Sequence, residues 1–289
     1  MPAPLPMSSD DRAGNLVADC ANCVGLCCFA LAFVRSADFA FDKPAGDPCV
    51  NLEEDSRCRI HPTLRDRGFK GCTVFDCHGA GQKVTGTTFG GKNWREDFDL
   101  RGPMFTVFPI VRQLHEMLWY LHTVSARLET RPITAELNGM YVEVEQLTEG
   151  SAEQILALNV DGVRNRVNEL LSEASMLVRK GAGDAPVPEI SKRFHSGADL
   201  MGARLSGQDL RGADLRGAWL IGADLREADL RCADLIAADL RDADVSGADV
   251  SGADLSEAIF LTQMQVNAAN GDANTLLPDG VKRPTHWAR

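Results

Sequence analysis

Aromatic side chains are scarce: 12 Phe, 4 Trp and 2 Tyr in 289 residues, 6% in all, so any core must be mainly aliphatic. Long apolar runs are missing too. The longest uncharged one, Cys23 to Val34, falls short of the ~20 residues that a helical membrane span requires, and no membrane role is expected. Residues 1–19 lack the basic start and apolar stretch of a secretory leader, so the expected location is cytoplasmic. Positive charge is in deficit, with 30 Lys+Arg against 41 Asp+Glu and a net charge of −11. That balance argues against a broad basic surface for direct nucleic acid binding. Catalytic signatures are absent as well: no Ser-His-Asp pattern, no paired carboxylates, no cofactor loop. Gly79-Ala80-Gly81 lacks the strand, helix and Lys of a phosphate loop. What is present is globular composition, 44% hydrophobic and 25% charged, with length for one large domain or two to three ordinary ones.

Cysteine is distributed unevenly. Eight of nine lie between Cys20 and Cys77, namely Cys20, Cys23, Cys27, Cys28, Cys49, Cys58, Cys72 and Cys77, with Cys232 far away. In a reducing cytosol such density points to metal ligation ahead of disulfides or buried free thiols. The leading motif is Cys20-x2-Cys23-x3-Cys27-Cys28. A two-residue spacer lets both thiolates reach one ion, and Gly25 permits the tight turn. Adjacent Cys27 and Cys28 strain to share one tetrahedral ion, so one of them serves a second ion or packs as a small hydrophobe. Eight thiols suffice for two four-ligand sites, or for one iron–sulfur cluster plus a zinc. His61 and His78 are possible ligands but read first as surface or supporting histidines, and His115 and His122 read as histidines of a helix bundle.

This stretch resembles the family of zinc- or iron-chelating proteins recognised by Cys-x2-Cys-x3-Cys-Cys. The resemblance covers about Val17–Val84 and includes Asp47-Pro-Cys49-Val-Asn-Leu and Ser56-Arg-Cys58-Arg-Ile-His61. It implies metal at the cysteines. After Cys58 the pattern departs: Gly71-Cys72-Thr-Val-Phe-Asp-Cys77-His78 stands where the family has Arg-Pro-x-x-Cys, which leaves the roles of Cys72 and Cys77 open.

Composition divides the chain into a loose tail at 1–15, a Cys-rich metal-binding module at 16–103, a small helical bundle at 104–180, a Gly- and Pro-rich linker at 181–197, a repeat at 198–262 and a cap at 263–289. Within the module, residues 20–103 carry 11 basic and 11 acidic residues and little periodic apolar pattern, so metal is expected to staple it. In the bundle, Phe108, Val111, Leu114, Leu118, Leu121 and Val124 recur at near-helical spacing, with Pro109 at a first turn or a kink. Further helices are predicted from Thr134, from the capping box Ser151-x-x-Gln154, and over Val160–Lys180.

From Ala198 the chain falls into thirteen five-residue units of the form Ala-Asp-Leu-x-x. A period of five is neither helical nor strand-like, and such a unit must stack on copies of itself to bury its apolar face. This resembles the pentapeptide-repeat family. The resemblance implies a right-handed quadrilateral β-helix with four units per coil, hence about three and a quarter coils and a stack on the order of 15 Å tall. It places the central residues, Leu200, Leu205, Leu210 and onward to Phe260, in the interior. The whole chain is thus expected to be a multidomain α+β protein.

The position before each central residue is Asp in ten units; the departures are Arg204, Trp219 and Ile259. Those Asp either hold turn geometry or form an acidic surface that imitates DNA. Four-fold stacking puts Asp199, Trp219, Asp239 and Ile259 on one face. Trp219 there is either a contact anchor or packs on the bundle, which makes Trp219, Asp199 and Asp239 candidate partner-binding residues. The repeat holds 6 Arg and 13 Asp+Glu, which suits a basic protein partner. Some pentapeptide-repeat proteins act on DNA gyrase, so a type II topoisomerase belongs among the candidates. The first functional reading is therefore a non-catalytic binding protein. The alternative is an iron–sulfur or zinc-dependent redox or modification enzyme, or its accessory subunit.

Overall fold

The computed structural model describes residues 14–180 and 193–288. Most of the tail expected at 1–15 and most of the linker expected at 181–197 lie outside the described residues. The chain forms two compact units, Met1–Ser125 with Thr134–Leu170 and Ala126–Ile133 with Leu171–Arg289.

The first unit is helical. Its short helices are α1 (Leu26–Ala30), α2 (Lys70–Val74) and α3 (Ala80–Lys83), the last continuing as a π turn over Val84–Thr88. The longer ones are α4 (Arg101–Ser125) and α5 (Thr134–Thr148), followed by α6 (Ala152–Leu156) and α7 (Val160–Arg179), whose last turns belong to the second unit. In α4, Val107, Phe108, Val111, Leu114, Leu118 and Leu121 form one buried stripe, as the spacing predicts. Pro109 sits inside α4 rather than at its first turn. The capping box of α6 forms as expected: Ser151 Oγ accepts the Gln154 N–H and Gln154 Oε1 accepts the Ser151 N–H. The Cys-rich segment does not stand apart. Val24, Leu26, Phe29, Ala80, Val84 and Trp94 share a core with Met104, Phe108 and Val111 of α4.

The second unit is the repeat with its caps. Each five-residue unit contributes one parallel bridge to the unit twenty residues on, giving the columns Asp199–Trp219–Asp239–Ile259, Arg204–Asp224–Asp244, Asp209–Asp229–Asp249 and Asp214–Asp234–Asp254. Four units therefore close one coil. The Leu200 N–H donates to the Trp219 carbonyl and the Trp219 N–H to the Ala198 carbonyl, and this pattern repeats down the stack. The central Leu and Val and the Ala two before them fill a continuous aliphatic interior. Each corner is a turn such as Leu200–Ala203, closed by a 3.0 Å bond, and from Gly202 through Gly252 its fifth-place residue lies in the left-handed region. Gly202, Gly207, Gly212 and Gly222 suit that conformation. One full coil instead places Glu227, Cys232, Ala237 and Asp242 there, at φ +57°, +57°, +56° and +59°.

The thirteenth unit departs from the expected register. Ile259 still bridges Asp239, but Phe260 turns to φ +61° and packs its ring 5.2 Å from the Arg241 guanidinium. Leu261 takes the interior place expected for Phe260. The chain then caps the open coil. Helix α8 (Gln263–Ala268) opens with a Thr262/Gln265 capping box. Gln265 Nε2 also donates to the Leu240 and Ala243 carbonyls, at 2.7 and 2.9 Å. Asn270 and Leu276 extend two columns by one bridge each. Trp287 closes the interior, with its indole N–H on the Ala269 carbonyl.

Candidate metal centre and repeat surface

The Cys-rich segment gathers its thiols from separate stretches. The Val24 N–H donates to Thr85 Oγ1, the Trp94 indole N–H to the Val24 carbonyl and the Asp19 N–H to Gln82 Oε1. These bonds lay the Cys20–Cys23 turn along α3 and its π turn. There Cys23 and Cys77 lie side by side over Gly81: a Cβ at Gly81 would stand 2.7 Å from Cys23 Sγ and 3.9 Å from Cys77 Sγ. The Cys49 N–H donates to the Cys28 carbonyl, and Cys58 bridges Leu52 three residues past Cys49. Cys27 and Cys28 hold their sulfurs 3.9 Å apart. The thiols of Cys20, Cys23, Cys58, Cys72 and Cys77 all feel the charge of Cys27.

Burial pushes the thiols of Cys20, Cys58 and Cys77 up, that of Cys23 to about 11 and that of Cys72 to about 12. Cys27 is raised through its contact with Cys28 and by burial. Among the described residues, no three His, Cys, Asp or Glu side chains converge tightly enough to hold a metal ion. The eight donors are all sulfur, the chemistry a thiophilic metal requires; Cys20 is exposed and the others are buried or half-buried, and at Gly81 two of them meet where only glycine leaves them room.

The histidines divide. His61 is exposed. His78, expected at the surface or in a supporting role, is buried in full, with φ +47° and Nε2 lacking a partner. Its carbonyl faces His115 Nδ1 at 2.7 Å. Burial drops the His115 pKa to about 4, so at neutral pH its neutral ring donates from Nδ1. Sequence reasoning passed over Lys43, which is only 4% exposed. Its Nζ donates to the Phe29, Leu31 and Pro44 carbonyls at 3.1, 2.5 and 2.9 Å. A lysine spaced from every cysteine carries no motif; its position beside them appears only in the fold.

On the repeat, the face of Asp199, Trp219, Asp239 and Ile259 is covered by the last turns of α7. The Arg179 guanidinium lies 4.3 Å over the Trp219 ring and its Nε donates to the Gly217 carbonyl. Arg241 reaches Ser172 at 3.3 Å. Asp239 is 0% exposed beside Arg241, and burial raises its pKa. Asp239 is therefore a buried packing residue and not a docking residue. Trp219 packs against the last turns of α7. Asp199 stays accessible.

The Asp residues of the other three columns are turn-formers first. All ten Asp that precede a central residue accept the backbone N–H two residues on, at 3.0–3.3 Å. Arg211, Arg216, Arg226 and Arg231 each clasp their own Asp through two bonds and approach the Asp of the next coil at 3.4–3.9 Å. Arg211 and Arg226 hold Asp209 and Asp224 down to about 2. These clasps are confined to the early units. Ala198–Arg231 carries six acidic residues and five arginines, whereas Cys232–Thr262 carries seven acidic residues and Arg241 alone.

Residues 198–235, 209–247 and 219–257 match the family model described as Pentapeptide repeats (8 copies). Among solved structures, the chain is similar to the pentapeptide repeat protein Rfr23 from the cyanobacterium Cyanothece 51142, with 26% identity over 28% of this chain and 61% of that one and a TM-score of 0.16. It is also similar to a pentapeptide repeat protein of the Arabidopsis thaliana thylakoid lumen, with 31% identity over 36% of this chain and 67% of that one and a TM-score of 0.18. Along almost its whole length it is similar to the Uncharacterized protein YybG of Bacillus subtilis (strain 168), 58% identical over 273 residues, which is 94% of this chain and 95% of that protein. Since that likeness runs through the Cys-rich and helical segments as well as the coils, the chain belongs to the family of YybG, a family of pentapeptide-repeat proteins.

Proposed function

We propose that this chain is a non-catalytic binding protein that offers the later coils of its repeat to a basic protein partner. The observation that supports this reading is the charge gradient along the stack. The early coils neutralise their own aspartates with arginine, and the later ones, apart from the buried Asp239 and Arg241, leave six acidic residues and no arginine. Such a surface repels phosphate and draws in basic proteins, with association weakened by salt. The variant Asp244→Asn/Asp249→Asn/Asp254→Asn tests it. Asn retains the side-chain oxygen that accepts each turn N–H, so the coil is kept while three charges go. Full-length protein should retain basic proteins from lysate at low salt, and the variant should not. A type II topoisomerase among them would extend the reading to DNA mimicry. Equal capture by both proteins, or binding of duplex DNA, would refute it.

We also infer that the first unit is held together by metal bound to thiolates drawn from Cys20, Cys23, Cys27, Cys28, Cys49, Cys58, Cys72 and Cys77. Bound zinc would supply a cross-link between distant loops, and an iron–sulfur cluster would add a one-electron redox centre. The thiols with raised pKa are protonated at neutral pH, so loading must expel protons and affinity must climb with pH. Metal and acid-labile sulfide analysis of anaerobically purified protein tests this and separates zinc from an iron–sulfur cluster. Protein isolated without metal, and as protease-resistant as the loaded form over residues 14–125, would refute it.

A further inference from the structure

The first unit holds a cavity of about 250 Å³ walled by three helices. Lys83 comes from α3, His115 and Leu118 from α4, and Tyr141, Glu145 and Thr148 from α5. Leu16 closes one side, in a segment that Gln82 pins: Gln82 Nε2 donates to the Val17 carbonyl at 2.7 Å, and its Oε1 accepts the Asp19 N–H at 3.1 Å. Gly79 lets that segment come close, since a Cβ there would run into the Asn15 carbonyl. His115 is 4% exposed. Its Nδ1 donates to the His78 carbonyl at 2.7 Å, so in the neutral ring Nε2 carries the lone pair. His78, at φ +47°, turns that carbonyl onto the ring; a residue held in this conformation costs energy, and here it fixes the tautomer of His115. Among the described residues Nε2 of His115 has no partner, and unlike Nε2 of His78 it is not sealed away. A buried acceptor of this kind calls for a donor inside the cavity. The rest of the wall has the same bias. Thr148 Oγ1 spends its proton on the Glu145 carbonyl, at 2.6 Å, and keeps its lone pairs for accepting. The Lys83 ammonium is taken up by Glu149, which leaves the Glu145 carboxylate to set the sign of the wall.

We propose that this cavity binds a small aliphatic amine in its ammonium form, with the N–H donors on His115 Nε2, Thr148 Oγ1 and the Glu145 carboxylate and the alkyl chain against Leu16 and Leu118. The site depends on neither the metal nor the repeat. An ammonium brings three donors and one positive charge to a wall of acceptors. A carboxylate or a phosphate would set acceptor against acceptor beside Glu145, and an alcohol brings a single donor and no charge. The cavity lies just below the size of pockets that take drug-sized molecules, which suits a ligand of a few carbon atoms.

Ligand-observed NMR of the full-length protein with butylamine, butanol and butyrate tests this. Butylamine should bind, butanol more weakly and butyrate not at all. His115→Asn keeps a donor for the His78 carbonyl and loses the Nε2 acceptor, and Glu145→Gln loses the charge; each should weaken butylamine binding roughly ten-fold or more. The repeat variant Asp244→Asn/Asp249→Asn/Asp254→Asn should bind it like the parent. Butanol or butyrate bound as tightly as butylamine, or no binding of any of the three, would overturn the proposal. So would butylamine binding that survives both His115→Asn and Glu145→Gln, or that is lost only in the repeat variant, which would put the amine on the acidic coils. Thermal melts show whether each variant is folded. Should His115→Asn fail to fold, Glu145→Gln, at a half-buried position, carries the test by itself.

Discussion

Gln265 closes the bottom of the repeat stack through four bonds to one side chain. Its Nε2 donates to the Leu240 and Ala243 carbonyls, and its Oε1 accepts the Thr262 N–H at 2.8 Å and the Thr262 hydroxyl at 3.0 Å. Gln265→Ala removes all four. At about 1 kcal/mol for each net hydrogen bond, and with the half-buried setting giving water some access, the loss should be about 2–3 kcal/mol. Gln265→Glu is the sharper change. It keeps the acceptor for Thr262 but turns a carboxylate oxygen toward two carbonyl oxygens at under 3 Å. The folded state then disfavours the charged form, so the carboxyl pKa rises above its unfolded value of about 4.3. The destabilisation should therefore be small at pH 3.5, where a protonated carboxyl donates one bond, and should grow as pH rises through the raised pKa. At pH 7 it should match or exceed that of Gln265→Ala. Hydrogen exchange of the peptide amides between Leu240 and Ala258 reads this locally, and thermal unfolding should show a transition roughly 5–10 °C lower. If Gln265→Glu protects those amides as well as the parent at pH 7, the side chain is not donating to the coil and the capping argument fails.

Other expectations follow from the same coils. Leu230→Asp places a carboxylate in the aliphatic interior, where Leu230 is 1% exposed, and should cost several kcal/mol; Arg231→Ala on the outside should cost about 0.5 kcal/mol or less, and equal shifts in denaturant midpoint would contradict the register. Asp209 and Asp224 have pKa values depressed to about 2, so their contribution is present above pH 4 and is lost as pH falls from about 4 to 2; Arg211→Gln/Arg226→Gln should flatten an acid titration of stability in that window. Glu227→Gly should stabilise slightly by relieving a left-handed corner, and Gly222→Ala should destabilise, since a Cβ there meets no atom within 4 Å and only the backbone conformation resists; opposite signs in a thermal melt are the check.

The repeat was legible because its five-residue period and its central Leu column are local. Twenty-residue bridging follows once four units close a coil. Legibility ended where the period did. Ile259-Phe260-Leu261 reads as one more unit, yet the chain must leave the coil to cap it, so Phe260 leaves the coil interior to be buried against Arg241 and Leu261 goes in. The covered face was hidden for a different reason. Asp239 carries the same local signal as Asp229, and what buries it is α7 arriving from sixty residues earlier in the chain. The helices were readable to within a few residues, since α4 and α7 bury single stripes. The Cys-rich segment yielded its thiols but not their grouping, because Cys23 and Cys77 meet through Gly81, Thr85 and Gln82, which carry no pattern of their own. Lys43 and His78 are invisible in sequence for the same reason.

A stack that repeats every twenty residues also limits how the chain can change its length. Inserting one five-residue unit ahead of the cap advances everything after it by a quarter turn. Gln265 would then face a different pair of carbonyls, Trp287 would close a different corner, and the Phe260 ring would leave Arg241. Adding four units restores every one of these alignments. Relatives whose stacks differ by whole coils could share this terminal segment unchanged, while those that differ by one, two or three units must have rewritten it, and the length of the repeat becomes a quantity counted in twenties.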